Sequence, residues 1–202
     1  MTESSQLSPD EKGVLLFISG PSGVGKSTIC RALAAQLPAE FALSATTRLG
    51  KPQDQWGKRY IFINANEFAQ RIEKGEFLEY AQVFGHWYGT LKAPVIESLN
   101  AGKKVLLEID VQGGAQIKLM FPRAVGVLIL PPSEESLVQR LTNRGRDDPA
   151  TITNRLAQAK MEIAAARKSG AYSLEVVNQV VENTIERIKE FVESMKLKAA
   201  GR

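Results

Sequence analysis

Hydrophobic residues fall into short unbroken runs separated by stretches of helical spacing. Residues 14–19 read Val-Leu-Leu-Phe-Ile-Ser and stop at Gly20, which predicts a strand buried on both faces. A Gly-rich segment, 20–28, comes next, and 29–37 predicts a helix stopped by Pro38. Further strands are predicted over 60–63, 77–84, 104–110, 124–130 and 174–177. The run 104–110 ends in acid, and 124–130 is closed by Pro131-Pro132. Helices are predicted over 66–74, 94–101, 111–120, 133–143, from Asp148-Pro149 to about 168, and 183–197. The first of these is capped by Asn64 or Asn66 and ends near Gly75; the second ends at Gly102. Ser133 caps a helix with Glu134 and Glu135 in its first turn, where the helix dipole favours acid. The last places Ile185, Ile188, Val192 and Met195 on one side.

Strands that alternate with helices imply parallel connections and a layered α/β sheet. One stretch breaks this texture. Both tryptophans, Trp56 and Trp87, and three of the four tyrosines, Tyr60, Tyr80 and Tyr88, lie between Phe41 and Tyr88. It reads as an inserted lobe of mixed strand and helix. The expected organisation is a single domain over 1–202. Its core spans about 13–40, 93–131 and 170–197, with the lobe at about 41–92, a helical segment at about 133–168 and a loose tail at 1–12.

The chain has 202 residues, 44% hydrophobic and 24% charged, which is enough apolar material for a core. Its net charge of +4 is spread along the chain, without the basic stripe of a nucleic-acid binder. No polynucleotide partner is expected. The polar start TESSQLSPDEK is not a signal peptide, and no run approaches a membrane span, so a cytoplasmic protein with no membrane partner is expected. Self-association is left open. Cys30, the only cysteine, excludes an intramolecular disulfide and reads as a small buried hydrophobe. His86, the only histidine, reads as an exposed loop residue in a Gly-rich turn.

The chemistry starts at Gly20-Pro21-Ser22-Gly23-Val24-Gly25-Lys26-Ser27, which fits G-x-x-x-x-G-K-[ST] between a buried strand and a helix. Such glycines let backbone N–H groups point inward at phosphate oxygens. Lys26 supplies a cation to the β- and γ-phosphates, and Ser27 offers a hydroxyl to Mg²⁺. Thr28, which closes the Gly-rich segment, belongs to the same site. A nucleoside triphosphate with Mg²⁺ follows. The phosphoryl acceptor does not.

Two further stretches bear on the acceptor. Residues 46–60 fit T-[ST]-R-x-x-[KR]-x-x-[DE]-x-x-G-x-x-Y, and Glu79 to Thr90 runs E-Y-A-Q-V-F-G-H-W-Y-G-T. In both, the chain resembles guanylate kinase, a P-loop nucleoside monophosphate kinase family. The resemblance continues through Glu108-Ile109-Asp110-Val111-Gln112-Gly113, Leu130-Pro131-Pro132-Ser133, Arg140 to Gly145 and Val177-Asn178, and covers about 13–195. It implies a P-loop NTPase fold with a parallel central sheet flanked by helices, a GMP-binding lobe and a helical lid. It also implies transfer of the γ-phosphoryl group of MgATP to GMP, and to dGMP, in purine nucleotide metabolism.

By the same resemblance, Arg48, Lys51, Tyr60 and Tyr88 hold the GMP phosphate. Lys51 stands where many relatives have Arg, so it keeps the charge without the planar fork. Glu79 reads the guanine N1–H and N2–H₂ donors, Ser44 and Thr90 lie near O6, and Asp110 lies near the amino group. Acids at strand ends also serve Mg²⁺ in P-loop folds. Arg144, Arg155 and Arg140 come from the lid toward the phosphates, while Arg146 matches no role. Asn178 matches a position close to the ATP base. Here Ser173 and Gln179 depart from the family pattern, which bears on adenine recognition only. A different P-loop kinase, for AMP, UMP, dTMP or a non-nucleotide, and a guanylate-kinase-like binding module are the rivals. The Glu79, Ser44 and Thr90 set argues against the first, and the complete phosphate loop against the second.

Overall fold

The structure, a computed structural model, describes residues 13–50, 59–143 and 148–200. Two sheets organise the chain. The larger holds β2 (Ala39–Phe41), β7 (Lys104–Glu108), β1 (Val14–Ser19), β8 (Val125–Leu130) and β9 (Leu174–Val177), in that spatial order and all parallel. Its inner strands β1 and β8 and the middle of β7 are buried and apolar because both faces are covered, while the edge strands β2 and β9 carry the exposed Glu40 and Glu175. Leu16, Ile18, Val127 and Ile129 face α1 (Lys26–Gln36) and α7 (Val181–Ala200), packing on Ile29, Leu33, Ile185 and Ile188. Leu15, Phe17, Val105 and Leu107 face α3 (Lys92–Asn100) and α4 (Val111–Met120), packing on Val95, Leu99 and Ile117.

Chain order makes β1 central, with β7 on one side and β8 on the other. The crevice beyond the carboxyl end of β1 is therefore the switch point of a doubly wound sheet, where ligands bind. The phosphate loop leaves β1 at that end. Glu108, the last residue of β7, stands beside Ile18 in register.

The second sheet is mixed, in the order β4 (Tyr60–Phe62), β3 (Ser44–Thr46), β6 (His86–Leu91), β5 (Phe77–Val83). β3 runs parallel to β4 and antiparallel to β6, and β5 runs antiparallel to β6. One face packs on α2 (Ala65–Glu73), whose buried Phe68 meets Ala45, Phe77, Ile61 and Trp87. The Phe68 and Phe77 rings stack at 4.5 Å. The pair α5 (Glu134–Thr142) and α6 (Pro149–Ser169) packs through Leu137, Leu141 and Ala159. Among the described residues no helix is long and apolar enough to cross a membrane.

Several boundaries differ from those expected. The helix expected from 29 begins at Lys26, so Lys26, Ser27 and Thr28 form its first turn. β7 ends at Glu108, and Asp110 instead caps α4, its Oδ1 accepting from Gly113 N at 2.8 Å. β2, β3 and β6 were not expected. The first two have three residues each, too few to show an alternation. The third starts with His86, which is half-buried in a strand and not in an exposed loop. Gly89 lies in its middle because Phe77 crosses there; a Cβ at Gly89 would sit 2.7 Å from the Phe77 ring.

Candidate active site

β1 delivers the phosphate loop to the crevice, and Gly25 joins it to α1 in a left-handed conformation with φ of 103°. A Cβ at Gly25 would lie 2.7 Å from Asn178 Nδ2, so neither the backbone nor the space admits a larger residue. No side chain of the described residues caps α1, which leaves its first turn free for an anion. Lys26 Nζ donates to Gly20 O at 2.6 Å and Pro21 O at 3.0 Å. Burial pulls its ammonium below the ordinary lysine value, while Glu108, Glu162 and Asp110 oppose that shift.

Ser27 Oγ donates to Glu108 Oε1. The other oxygen of Glu108 accepts from Arg59 Nη1 at 3.2 Å. The Arg59 guanidinium lies 4.3 Å from the Phe41 ring centroid. Through this chain of contacts, Arg59 next to β4 ties the smaller sheet to β2 and β7 of the larger one.

Register across the smaller sheet aligns four residues as one rung. Tyr60 pairs with Ser44, Ser44 with Thr90, and Thr90 with Glu79. A β-bulge makes this possible. Residues Phe77 and Glu79 are both odd-numbered, yet Phe77 packs under α2 and Glu79 faces the crevice, because the register shifts between them. Glu79 is buried, and its Oε1 accepts from Thr90 Oγ1 at 2.5 Å and Thr90 N at 3.1 Å. Burial pushes its carboxyl up to about 7; Asp110 adds to this and the Thr90 hydrogen bonds oppose it. Two residues along β6 from Thr90, Tyr88 meets Tyr60 edge-on at 6.4 Å. The Tyr60 hydroxyl is raised to about 12, chiefly by burial.

These parts close around one cavity. Gly20, Ser22 and Lys26 of the loop, Ser44, Tyr60, Glu79 and Tyr88 of the smaller sheet, and Glu108 and Asp110 line it. Burial also raises the Asp110 carboxyl. From α6, Glu162 completes the wall, its Oε1 accepting from Gln158 Nε2 at 2.9 Å. Arg155, seven residues earlier on the same helical face, rests 4.7 Å from the Phe84 ring centroid at the tip of the β5–β6 hairpin.

Other expected site residues lie outside the wall. Thr90 stands behind Glu79 and commits its proton to that carboxylate. Arg140 donates to Val24 O at 3.1 Å and Asn178 O at 2.7 Å, bracing the back of the loop. Asn178 does the same: Nδ2 donates to Val24 O at 2.8 Å, and Oδ1 accepts from Thr184 Oγ1 at 3.1 Å. Arg48 Nη1 donates to Leu49 O at 3.2 Å, and its guanidinium lies 5.8 Å from the Phe62 ring. Lys51, Arg144 and Arg146 fall outside the described residues. Glu108 and Glu162 were missed. The signal for Glu108 was its place two residues before Asp110 at a strand end. For Glu162 it was the seven-residue spacing from Arg155.

A phosphate loop at the switch point of a parallel sheet, facing a second sheet that presents a buried carboxylate, defines a P-loop kinase of small nucleotides. The sequence profile of guanylate kinase matches residues 12–195. A guanylate kinase from Clostridium tetani is 41% identical over 186 residues, covering 92% of this chain and 88% of its own. One from Anaeromyxobacter dehalogenans is 44% identical over 192 residues, covering 94% and 84%. A solved guanylate kinase from Anaplasma phagocytophilum superposes with a TM-score of 0.73 at 31% identity, covering 90% of this chain and 85% of that one. The chain belongs to the guanylate kinase family, and guanylate kinase activity, with ATP as phosphoryl donor, comes with that membership.

Proposed function

We propose that the chain carries out the guanylate kinase reaction with the phosphate loop as donor site and the rung Tyr60, Ser44, Thr90, Glu79 as acceptor site. The reaction converts ATP and GMP, or dGMP, to ADP and the matching diphosphate. The observation that carries this is a buried carboxylate, Glu79, facing the same cavity as Lys26.

Guanine offers N1–H and N2–H₂ as donors beside the O6 acceptor. Glu79 accepts from both donors, Asp110 stands near the amino group, and the Ser44 hydroxyl donates to O6. Thr90, with its proton already given to Glu79, positions the carboxylate instead of touching the base. Adenine presents the reverse pattern and leaves a buried carboxylate unpaired, which can cost several orders of magnitude in selectivity. Tyr60 and Tyr88, with Arg48 and Lys51, hold the acceptor phosphate.

That phosphate is an anionic nucleophile at neutral pH, so no covalent intermediate and no strong general base is needed. Catalysis comes from alignment and from charge placed around the transferring group. Lys26 and the lid arginines Arg144 and Arg155 supply positive charge, and closure of α6 excludes water. Arg140 and Asn178 brace the loop that orients the donor.

Mg²⁺ fits the oxygens present. Ser27 Oγ and Glu108 Oε1 meet at the mouth of the loop, and hard oxygen donors of this kind suit a cation that keeps several waters and substrate phosphates as its other ligands. Among the described residues no group of three or more His, Cys, Asp or Glu could hold a metal ion by itself. Ser27 and Glu108 would hold the ion, which would supply charge neutralisation at the phosphates.

The test is ADP release with ATP, Mg²⁺ and each nucleoside monophosphate in turn, for the native chain and Glu79→Gln. GMP is expected to exceed AMP by orders of magnitude. The variant is expected to lose about 100-fold or more in kcat/KM for GMP, with the KM for ATP within about twofold of native. Equal activity on AMP and GMP in the native chain, or unchanged selectivity in the variant, would overturn Glu79 as the base reader.

A further inference from the structure

We propose that Gly113 is a specificity-determining residue of this site: the absence of a side chain there lets the Glu79 carboxylate reach the position from which it reads the base. The proposal rests on Glu79 being the base reader.

Gly113 is the third residue of α4, a helical position at which glycine is disfavoured relative to alanine. Its φ is not positive, so its backbone does not require glycine. Space does. A Cβ built on Gly113 would lie 2.2 Å from Glu79 Oε2 and 3.0 Å from Glu79 Cδ. The carboxylate is not free to step aside, because Oε1 is held by both the hydroxyl and the amide of Thr90 and the side chain is buried. The same Gly113 amide donates to Asp110 Oδ1, so one residue sets the position of both acids that face the base.

A methyl group at Gly113 would drive Oε2 back by about 1 Å, a misplacement that can cost about 100-fold. The neighbouring glycine is the comparison. A Cβ at Gly114 would meet Tyr172 Oη at 2.4 Å and the Phe17 ring at 3.2 Å, and Glu79 is not among its nearest neighbours. Alanine there strains α4 and the core without touching the carboxylate.

The experiment measures kcat/KM for GMP and for IMP, which lacks the 2-amino group, in Gly113→Ala, Gly114→Ala, Glu79→Gln and the double variant G113A/E79Q. Thermal melts accompany each. G113A is expected to lose about 30- to 100-fold on GMP and to narrow the GMP-to-IMP preference by about tenfold, with the KM for ATP within about twofold. G114A is expected to leave that preference unchanged. On an E79Q background, G113A is expected to add less than about threefold, because its effect runs through the carboxylate. If G113A melts far below the native chain, shortening the acid in G113A/E79D is expected to restore the melting point. An unaltered GMP-to-IMP ratio in G113A, additive losses in the double variant, or no recovery in G113A/E79D would each overturn the proposal. If E79Q itself keeps native selectivity, the base-reading assignment fails first, and that result is distinct from a failure at Gly113 alone.

Discussion

A buried carboxylate resists ionisation, and burial holds Glu79 up to about 7, with Asp110 adding repulsion and the Thr90 bonds opposing. Its proposed task requires the ionised form, since the guanine N–H groups need an acceptor. GMP affinity is therefore expected to fall by up to about tenfold for each pH unit below 7 and to level off above it. Calorimetric titration of GMP checks this, with Glu79→Gln as control; that variant should retain only the inflection of the GMP phosphate itself, near pH 6. The linked effect on stability has a definite sign. A folded value raised above the unfolded 4.5 means the fold binds the proton more tightly. This contribution to stability is complete below about 4.5 and is lost as pH rises through about 7. Between pH 5 and 8 the melting point of the native chain is expected to decline more than that of Glu79→Gln.

At the scale of elements, the long apolar strands and the amphipathic helices were legible because burial on two faces, or on one stripe, leaves a periodic trace. β9 and α4 fall on their expected residues. The short β2 and β3 left no such trace, and the Gly85 and Gly89 positions hid β6. The phosphate loop was legible as a motif, and the rung residues Ser44, Tyr60, Glu79 and Thr90 only through a family resemblance. Nothing in the alternation of residues 77–83 reveals the bulge that turns Glu79 away from the Phe77 face. That face has a small core of its own, in which Phe68 stacks on Phe77 at 4.5 Å and meets Trp87 at 5.8 Å. Phe68→Ala is expected to cost about 3–5 kcal/mol. Because this core supports the acceptor rung and not the phosphate loop, GMP affinity should weaken well before ATP affinity does. Chemical denaturation followed through the circular dichroism of the chain, together with separate titrations of the two nucleotides, measures both effects.

Over the whole molecule, four parts remote in sequence meet at one cavity: the loop, the smaller sheet, the Glu108–Asp110 stretch and α6, the last also joined to the β5–β6 hairpin by a contact. Arg155 lies 4.7 Å from the Phe84 ring, while Glu162 on the same helix lines the wall near Lys26. Phe84 holds φ at 49°, a left-handed conformation that a bulky residue adopts at a cost, and so presents its ring at the hairpin tip. Two roles for Arg155 give different numbers. If it were only a clasp, removing either partner would have the same effect, worth about the 0.5–2 kcal/mol of a cation–π contact. On the proposed assignment it also stabilises charge on the transferring phosphoryl group, a role that can be worth about 10³-fold in rate. Arg155→Ala is then expected to lower kcat by about 10³-fold, against less than about 30-fold for Phe84→Ala. Arg155→Lys should fall between them, since lysine keeps the charge but loses the planar fork and the stacking surface. Single-turnover rates at saturating ATP and GMP separate the chemical step from nucleotide binding. Equal losses in Arg155→Ala and Phe84→Ala would reduce Arg155 to the clasp, and the charge stabilisation would then fall to Lys26 and Arg144.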